Sequence, residues 1–464
     1  MSAARSSGAA TRTGAARLQL PEPCDYPQLA EIVDDERLVQ AIGGCLGGME
    51  PIAPALRACA VRKLHYRPRS GCRLVIAARF AAGSGRSVEQ LYFGRLLPGD
   101  GARRAFEATD LDALARPRFG PASLYLPGWR LLLWAYPNDP ELPGLPLLGD
   151  AHRVRDRLAE SPAAFGLDRA PRTVTARRAK YVPGKRCGYV YQVEGGSRPG
   201  HGRRARRIYG KCYAGDGAAR AHDVAGRVWD SPARVAGRLL LPQPYACDVA
   251  TGIAWQEGLP GRPLLKQGGR SERIVALAAE IGERLAALHG SRLGLPVELS
   301  HADQVASLRG SLAAARALPS EPARRMLELG ARLLEAAARE PEPDPVTLHG
   351  SFRLSHVMAT RRGPAFIDLD GACSGDASVD LGRFAAHILK LAAVGAVGEL
   401  TAAAIVRELS AGYNAAAAER VSEERLHLSA AVQLVSGGLE KAIKRMDARE
   451  LDAVLRAAAR IAPA

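Results

Sequence analysis

The chain is poor in aromatic residues, has no paired cysteines and has no long apolar run, and each absence removes a class of function. Phe, Trp and Tyr make up 5% of its 464 residues, and no helix-turn-helix, RNA-binding or zinc-finger pattern accompanies them, so nucleic acid is not expected as a partner. The eight cysteines (Cys24, Cys45, Cys59, Cys72, Cys187, Cys212, Cys247 and Cys373) contain no C-x-x-C pair and no regular spacing. That argues against a zinc cage or a disulfide framework and fits a reducing, cytoplasmic compartment. No apolar stretch approaches bilayer-spanning length, so no membrane partner is expected. The first residues, MSAARSSGAATRTGAARLQL, lack the hydrophobic centre of a secretory signal. Rich in Arg, Ser and Ala and poor in acids, residues 1–20 read as a disordered arm, although a transit peptide has the same composition.

What is present is a basic chain with 47% hydrophobic residues, enough for two or three packed domains. Sixty-four Lys and Arg against 48 Asp and Glu give a net charge of +16, which favours anionic partners. The densest cluster, RRARR at Arg203–Arg207, lies between two strand-like runs beside a Gly/Pro stretch and reads as a solvated hairpin loop.

An internal repeat organises the first half. VRKLHYRPRSGCRLVIAAR from Val61 aligns with ARRAKYVPGKRCGYVYQVE from Ala176: Tyr66, Pro68, Cys72 and Val75 meet Tyr181, Pro183, Cys187 and Val190 at a constant offset of 115 residues. After a one-residue slip, FGRLLPGDGARRA from Phe93 meets YGKCYAGDGAARA from Tyr209, and LPGLPLL from Leu142 meets LPGRPLL from Leu259. Ordered identities with slips confined to loops indicate two copies of one supersecondary unit. Each copy reads as strands joined by Pro/Gly turns, from the β-branched and aromatic enrichment of RLVIAARF and GYVYQVE. Only the second copy continues into a long Ala/Leu-rich region of helical periodicity, beginning with ERIVALAAEIGERLAALHG.

Near the end of that region stand HGSFRLSH, from His349 to His356, and FIDLD, from Phe366 to Asp370. A β-rich lobe followed by a helical lobe with these motifs in this order resembles the aminoglycoside phosphotransferase and choline kinase family, relatives of the protein kinases. The resemblance runs from about Val174 to the C-terminus. It implies an α+β, protein-kinase-like two-lobed fold, here preceded by an N-terminal cap containing a duplicated N-lobe-like β unit. The domains expected are a cap at 21–170, an N-lobe at 171–262 and a helical C-lobe at 263–464.

The resemblance also implies roles. Family members read H-G-D-x-x-x-x-N in the loop, where Asp orients the acceptor hydroxyl and Asn binds metal. Here Ser351 occupies the Asp position and His356 the Asn position. A hydroxyl cannot take the acceptor proton near neutrality, and an imidazole is a poor magnesium ligand, tilting that position toward a softer ion. Asp368 matches the metal-binding Asp, and Asp370 adds a second carboxylate that, on a strand, would face the opposite side. Arg353 stands where protein kinases place a phosphate-contacting Lys, and Asp380 where the family braces the loop. Lys211, in IYGKCY, matches the Lys that grips nucleotide phosphates; no Glu follows on the next helix, leaving Asp223 as the favoured partner and Asp230 as the other. PGKRCG, from Pro183 to Gly188, lies at the phosphate-covering hairpin. Glu257, in WQEGLPGRPLL, resembles the hinge, and His289 ends the helix before the loop. The first copy has Arg95 in place of Lys211, which points to a structural cap and not to a second nucleotide site.

The implied cofactors are ATP and magnesium, or manganese. The implied partners are the nucleotide and an unidentified small-molecule acceptor, with the basic cap offering a face to an anionic or protein partner. Two readings follow: a phosphotransferase with impaired or noncanonical catalysis, or a pseudokinase serving as a nucleotide-binding or protein-interaction module. No G-x-S-x-G elbow surrounds Ser351 and no H-E-x-x-H pattern is present, so hydrolase chemistry is not indicated.

Overall fold

The computed structural model describes residues 25–47, 56–67, 70–81, 86–195, 206–266, 271–316, 321–445 and 448–463. The expected arm at 1–20, and Arg203 to Ala205 of the basic cluster, lie outside the described residues.

Two five-stranded antiparallel sheets form the first half. The first consists of β1 (Leu56–Arg67), β2 (Gly71–Ala81), β3 (Ser87–Leu96), β4 (Ser123–Leu126) and β5 (Leu131–Ala135), in the order β1-β2-β3-β5-β4. The second consists of β6 (Thr173–Val182), β7 (Arg186–Glu194), β8 (Arg206–Tyr213), β9 (Pro244–Asp248) and β10 (Ile253–Glu257), in the order β6-β7-β8-β10-β9. Positions matched at the sequence offset share register: Tyr66 pairs with Cys72 as Tyr181 pairs with Cys187. An N-lobe-like β unit therefore precedes the N-lobe itself.

A helix follows the third strand in both units, Gly101–Glu107 in the first and Gly217–Trp229 in the second. The longer one buries Ala218, Ala221, Val224 and Val228, a stripe at helical spacing. The sheets pack on separate cores. One is built on Leu74, Ile76, Phe80 and Leu133, the other on Tyr191, Cys212, Ile253 and Trp255.

The helical lobe opens with Ser271–His289, whose buried Ile274, Ala278, Ile281 and Leu285 follow the same spacing. Within this lobe two small sheets hold the loop of interest. Strand Val346–Leu348 pairs with Cys373–Gly375, and hairpin Val357–Thr360 with Gly363–Phe366 pairs with Arg262–Pro263. Residues 349–356 are thus suspended between two fixed strands. Residues 367–372 return beside them, with Ile367 N–H donating to the His356 carbonyl at 2.9 Å.

Candidate active site between the second sheet and the helical lobe

The loop is held from below by a buried carboxylate. Asp376 caps the helix Ala377–Ala393 by accepting from Ser378 N–H at 2.8 Å. One turn in, Asp380 is fully buried. Its Oδ2 accepts from His349 N–H at 2.6 Å and Gly350 N–H at 3.4 Å, and lies 3.4 Å from His289 Nε2. Burial works against its charge, but the His289 hydrogen bond and the fields of His289, His349 and Arg383 lower its pKa overall. Arg383 donates to the Gly350 carbonyl from the same helix. Gly350 has φ +73°, and a Cβ there would collide with the Gly371 carbonyl, so this position requires glycine. His349 donates from Nε2 to the Ile367 carbonyl at 3.0 Å; it supports the loop from inside.

Above this platform the carboxylates converge on the second sheet. Asp368 adopts a left-handed conformation, φ +66°, and the chain turns through a short 3-10 segment at Leu369–Gly371. The expectation that Asp370 would face away, as on a strand, is corrected here: the tight turn brings both carboxylates to one side. Lys211, 7% exposed on β8, sits 2.5 Å from Asp368 Oδ1 and also contacts Asp370 Oδ2. Tyr213, two residues along the same face, donates to Asp370 Oδ1 at 2.9 Å. Asp223 lies exposed on the helix Gly217–Trp229, and the partners of Lys211 are Asp368 and Asp370. The carboxylates come from the loop and not from the helix, a correction to the Asp223 expectation.

Sequence reasoning did not single out Arg186. It leaves the β6–β7 turn to reach Asp370 Oδ2 at 3.2 Å and Asp368 Oδ2 at 3.8 Å. Its signal was its place in PGKRCG. Burial of Asp368 opposes ionisation, but Lys211 and Arg186 outweigh it and hold the carboxyl well below the usual carboxylate range.

The two substituted loop positions also meet Asp368. His356 is buried, stacked on His349 with ring centroids 5.4 Å apart. Burial and the neighbouring His349 drive its pKa down to about 2, against the pull of Asp368. The imidazole is therefore neutral at physiological pH. Its Nε2 lies 3.3 Å from Asp368 Oδ2, and its Nδ1 lies 3.5 Å from Ser351 Oγ. With Asp368 accepting from Nε2–H, Nδ1 faces the serine hydroxyl as an acceptor. The elbow motif is absent, yet the fold aligns Ser351, His356 and Asp368 in one row. Arg353 is half-buried beside them; burial lowers its pKa and Asp368 opposes that shift.

Glu257 ends β10, its N–H donating to the Gln243 carbonyl at 2.8 Å while Gly258 N–H donates to that of Arg207 at 2.9 Å. These two hinge donors are engaged within the protein. A narrow cavity connects Asp368 and Asp370 past Tyr213 and Ala254 to Gln256 next to the hinge. Among the described residues, no group of three or more His, Cys, Asp and Glu side chains is arranged to hold a metal ion. Magnesium is commonly held by one or two carboxylates plus substrate phosphates, and the oxygens of Asp368 and Asp370 fit that pattern. Also among the described residues, no helix is long and apolar enough to cross a membrane.

Residues 216–418 match the model of the phosphotransferase enzyme family. The likeness to aminoglycoside phosphotransferases and choline kinases read from the loop motifs is borne out over that stretch. No curated protein matches the chain in sequence. Among solved structures it is similar to a glucosamine kinase in complex with glucosamine, ADP and inorganic phosphate, at 15% identity over 94% of this chain and 100% of that one, with TM-score 0.46. It is also similar to a spectinomycin phosphotransferase in complex with ADP and spectinomycin, at 12% identity over 67% and 98%, TM-score 0.44. A macrolide 2′-phosphotransferase from Brachybacterium faecium matches at 18% identity over 65% and 96%, TM-score 0.41. None is close enough to assign a substrate.

Proposed function

With residues 216–418 matching a phosphotransferase family as premise, we propose that the chain, in a cytoplasmic setting, binds ATP between Lys211 and Asp368 and transfers its terminal phosphoryl group to a small-molecule hydroxyl at a reduced rate. The convergence of Lys211 with Asp368 and Asp370, from positions 157 and 159 residues away, carries this reading. Phosphoryl transfer depends mainly on positioned charge. Lys211, Arg186 and Arg353 supply cations for the phosphates. Asp368 and Asp370 are the groups that would hold magnesium, with His356 adjoining on the Asp368 side. Bound there, the ion would neutralise charge on the phosphate oxygens.

The reduced rate follows from Ser351. Transfer forms a bond from the acceptor oxygen to phosphorus, breaks the bond to the ADP oxygen and releases the acceptor proton. Ser351 offers a neutral hydroxyl where a carboxylate would take that proton. The alternative proton acceptors are Asp370, already engaged by Lys211, Arg186 and Tyr213, and the substrate itself. The same observation supports a second reading, a nucleotide-binding or protein-interaction module without turnover.

Calorimetry with ATP, with and without magnesium or manganese, and ATP consumption by wild type and Ser351→Asp/His356→Asn test this. Wild type should bind ATP and consume it slowly. The double variant should consume it about 10²-fold faster, the lower end of what a positioned base contributes, and Asp368→Ala should lose metal-dependent binding. A wild type without ATP affinity would sink the nucleotide reading. A fast wild type slowed by Ser351→Asp would sink the impaired-loop reading.

A further inference from the structure

The first sheet also carries positive charge on the face that corresponds to the Lys211 side of the second. In the second sheet one row across β6, β7 and β8 holds Lys180, Gly188 and Lys211. The corresponding row across β1, β2 and β3 holds His65, Arg73 and Arg95. Lys63, two residues from His65, is on the same face. Opposite this face stands the β6–β7 turn, in the place where the second sheet meets Asp368 and Asp370. Lys63 Nζ donates to the Tyr181 carbonyl at 2.8 Å and Arg73 to the Gly184 carbonyl at 3.4 Å.

Between the sheet and the turn lies a cavity lined by Lys63, His65, Arg73, Arg95 and Lys185, and among the described residues no carboxylate lines it. Glu141 stands just outside, its Oε1 3.0 Å from Arg95 and 3.8 Å from Arg73. One carboxylate thus serves two partly buried guanidiniums. Clustered like charges repel, and an anion in the cavity would relieve that repulsion. Each guanidinium has five N–H donors in a planar fork suited to a phosphate. Hydrogen bonds to Glu141 and Gly184 engage one N–H on each.

We propose that this cavity is an anion site for a small phosphate-bearing ligand, separate from the Lys211 cleft and closed on one side by the β6–β7 turn. The site does not depend on the nucleotide reading above. Its ligand would touch both the cap and the turn whose Arg186 reaches Asp370, so occupancy would hold that turn against the cap.

The test is calorimetry of the full chain with inorganic pyrophosphate and, separately, inorganic phosphate, together with hydrogen exchange. In Lys211→Met, which disables the cleft, pyrophosphate should bind within about twofold of wild type. In Arg73→Gln/Arg95→Gln, binding should weaken at least about tenfold, as expected for loss of bidentate phosphate contacts. Arg73→Lys/Arg95→Lys should fall between, since charge is kept and the fork is lost. Pyrophosphate should slow exchange at 71–75 and 182–185 in the Lys211→Met protein, a readout that stands even where the double glutamine variant does not fold. Binding lost in Lys211→Met, binding unchanged in the folded double glutamine variant, protection confined to 209–213 and 366–370, or no binding at millimolar pyrophosphate would each overturn the site.

Discussion

The two sheets share strand order and register, but different groups face them. Over the second sheet, Lys211 meets two carboxylates that arrive from the helical lobe. Over the first, Arg95 meets Glu141, which follows β5 within the same unit, and the row is covered by the turn of its neighbour. One scaffold thus presents its cation to a distant loop in one case and pairs it within its own unit in the other. A strand pattern can be repeated without repeating a site, because the site needs a second lobe to supply opposing charge.

The contrast is sharpest at the matched cations. Lys211→Met should weaken ATP binding by at least about 10²-fold, since a charged hydrogen bond inside a closed cleft is lost, whereas Arg95→Met should leave it within about twofold. Calorimetry on both variants checks this. Equal losses would mean that the sheets share one ligand and would break the comparison.

A smaller difference is expected at the matched glycines. A Cβ at Gly210 would lie 2.7 Å from Trp255 Cζ3, with a second Trp255 atom at 2.9 Å and Leu148 at 3.0 Å. At Gly94 the nearest contact is the flexible end of Leu133, at 3.0 Å. Gly210→Ala should cost about 1–3 kcal/mol, the range for overpacking a filled core, and Gly94→Ala less than about 1 kcal/mol. Denaturant melts of the two variants measure the gap, and a costlier Gly94→Ala would reverse the order of packing tightness argued here.

The last effect concerns pH. His356 is held neutral in the folded protein, with a pKa of about 2 against an ordinary 6.5. The unfolded chain therefore binds the extra proton first, and stability falls as pH drops below about 6.5, by up to about 1.4 kcal/mol per pH unit for this one group. Asp368 acts lower: its depressed pKa adds stability that is lost once pH falls below the ordinary carboxylate range. In metal-free protein, His356→Asn should flatten the decline between pH 6 and pH 4, about the window between the two effects. Melts across that range decide it, and a decline as steep as wild type would show that the imidazole is charged in the folded state.

Much of the frame was legible in the chain. Tyr66 and Tyr181 announced equivalent strands because strand pairing and Pro/Gly turns are short-range features. Lys211, Ser351, His356 and Asp368 could be located because they sit at fixed spacings inside local motifs. Arg186 was not assigned although it sits in PGKRCG, since that motif alone does not tell which of its two cations reaches the carboxylates. Asp223 was favoured, with Asp230 as the other choice, because the resemblance places the partner of this Lys on the helix that follows the strand, and nothing local pointed to acids 157 and 159 residues on.

The amino-acid sequence by itself determined the order of the elements, the repetition of the β unit and the replacement of the loop acid by Ser351, because each is written within a few residues. Tertiary structure decided which charges meet. Asp370 joins Asp368 on Lys211 only because the chain turns left-handed at Asp368. Arg186 reaches Asp370 across 184 residues of sequence, and the β6–β7 turn covers Arg73 and Arg95 only because the cap docks there. Such pairings depend on how separately formed units pack together, and local propensity carries no record of that.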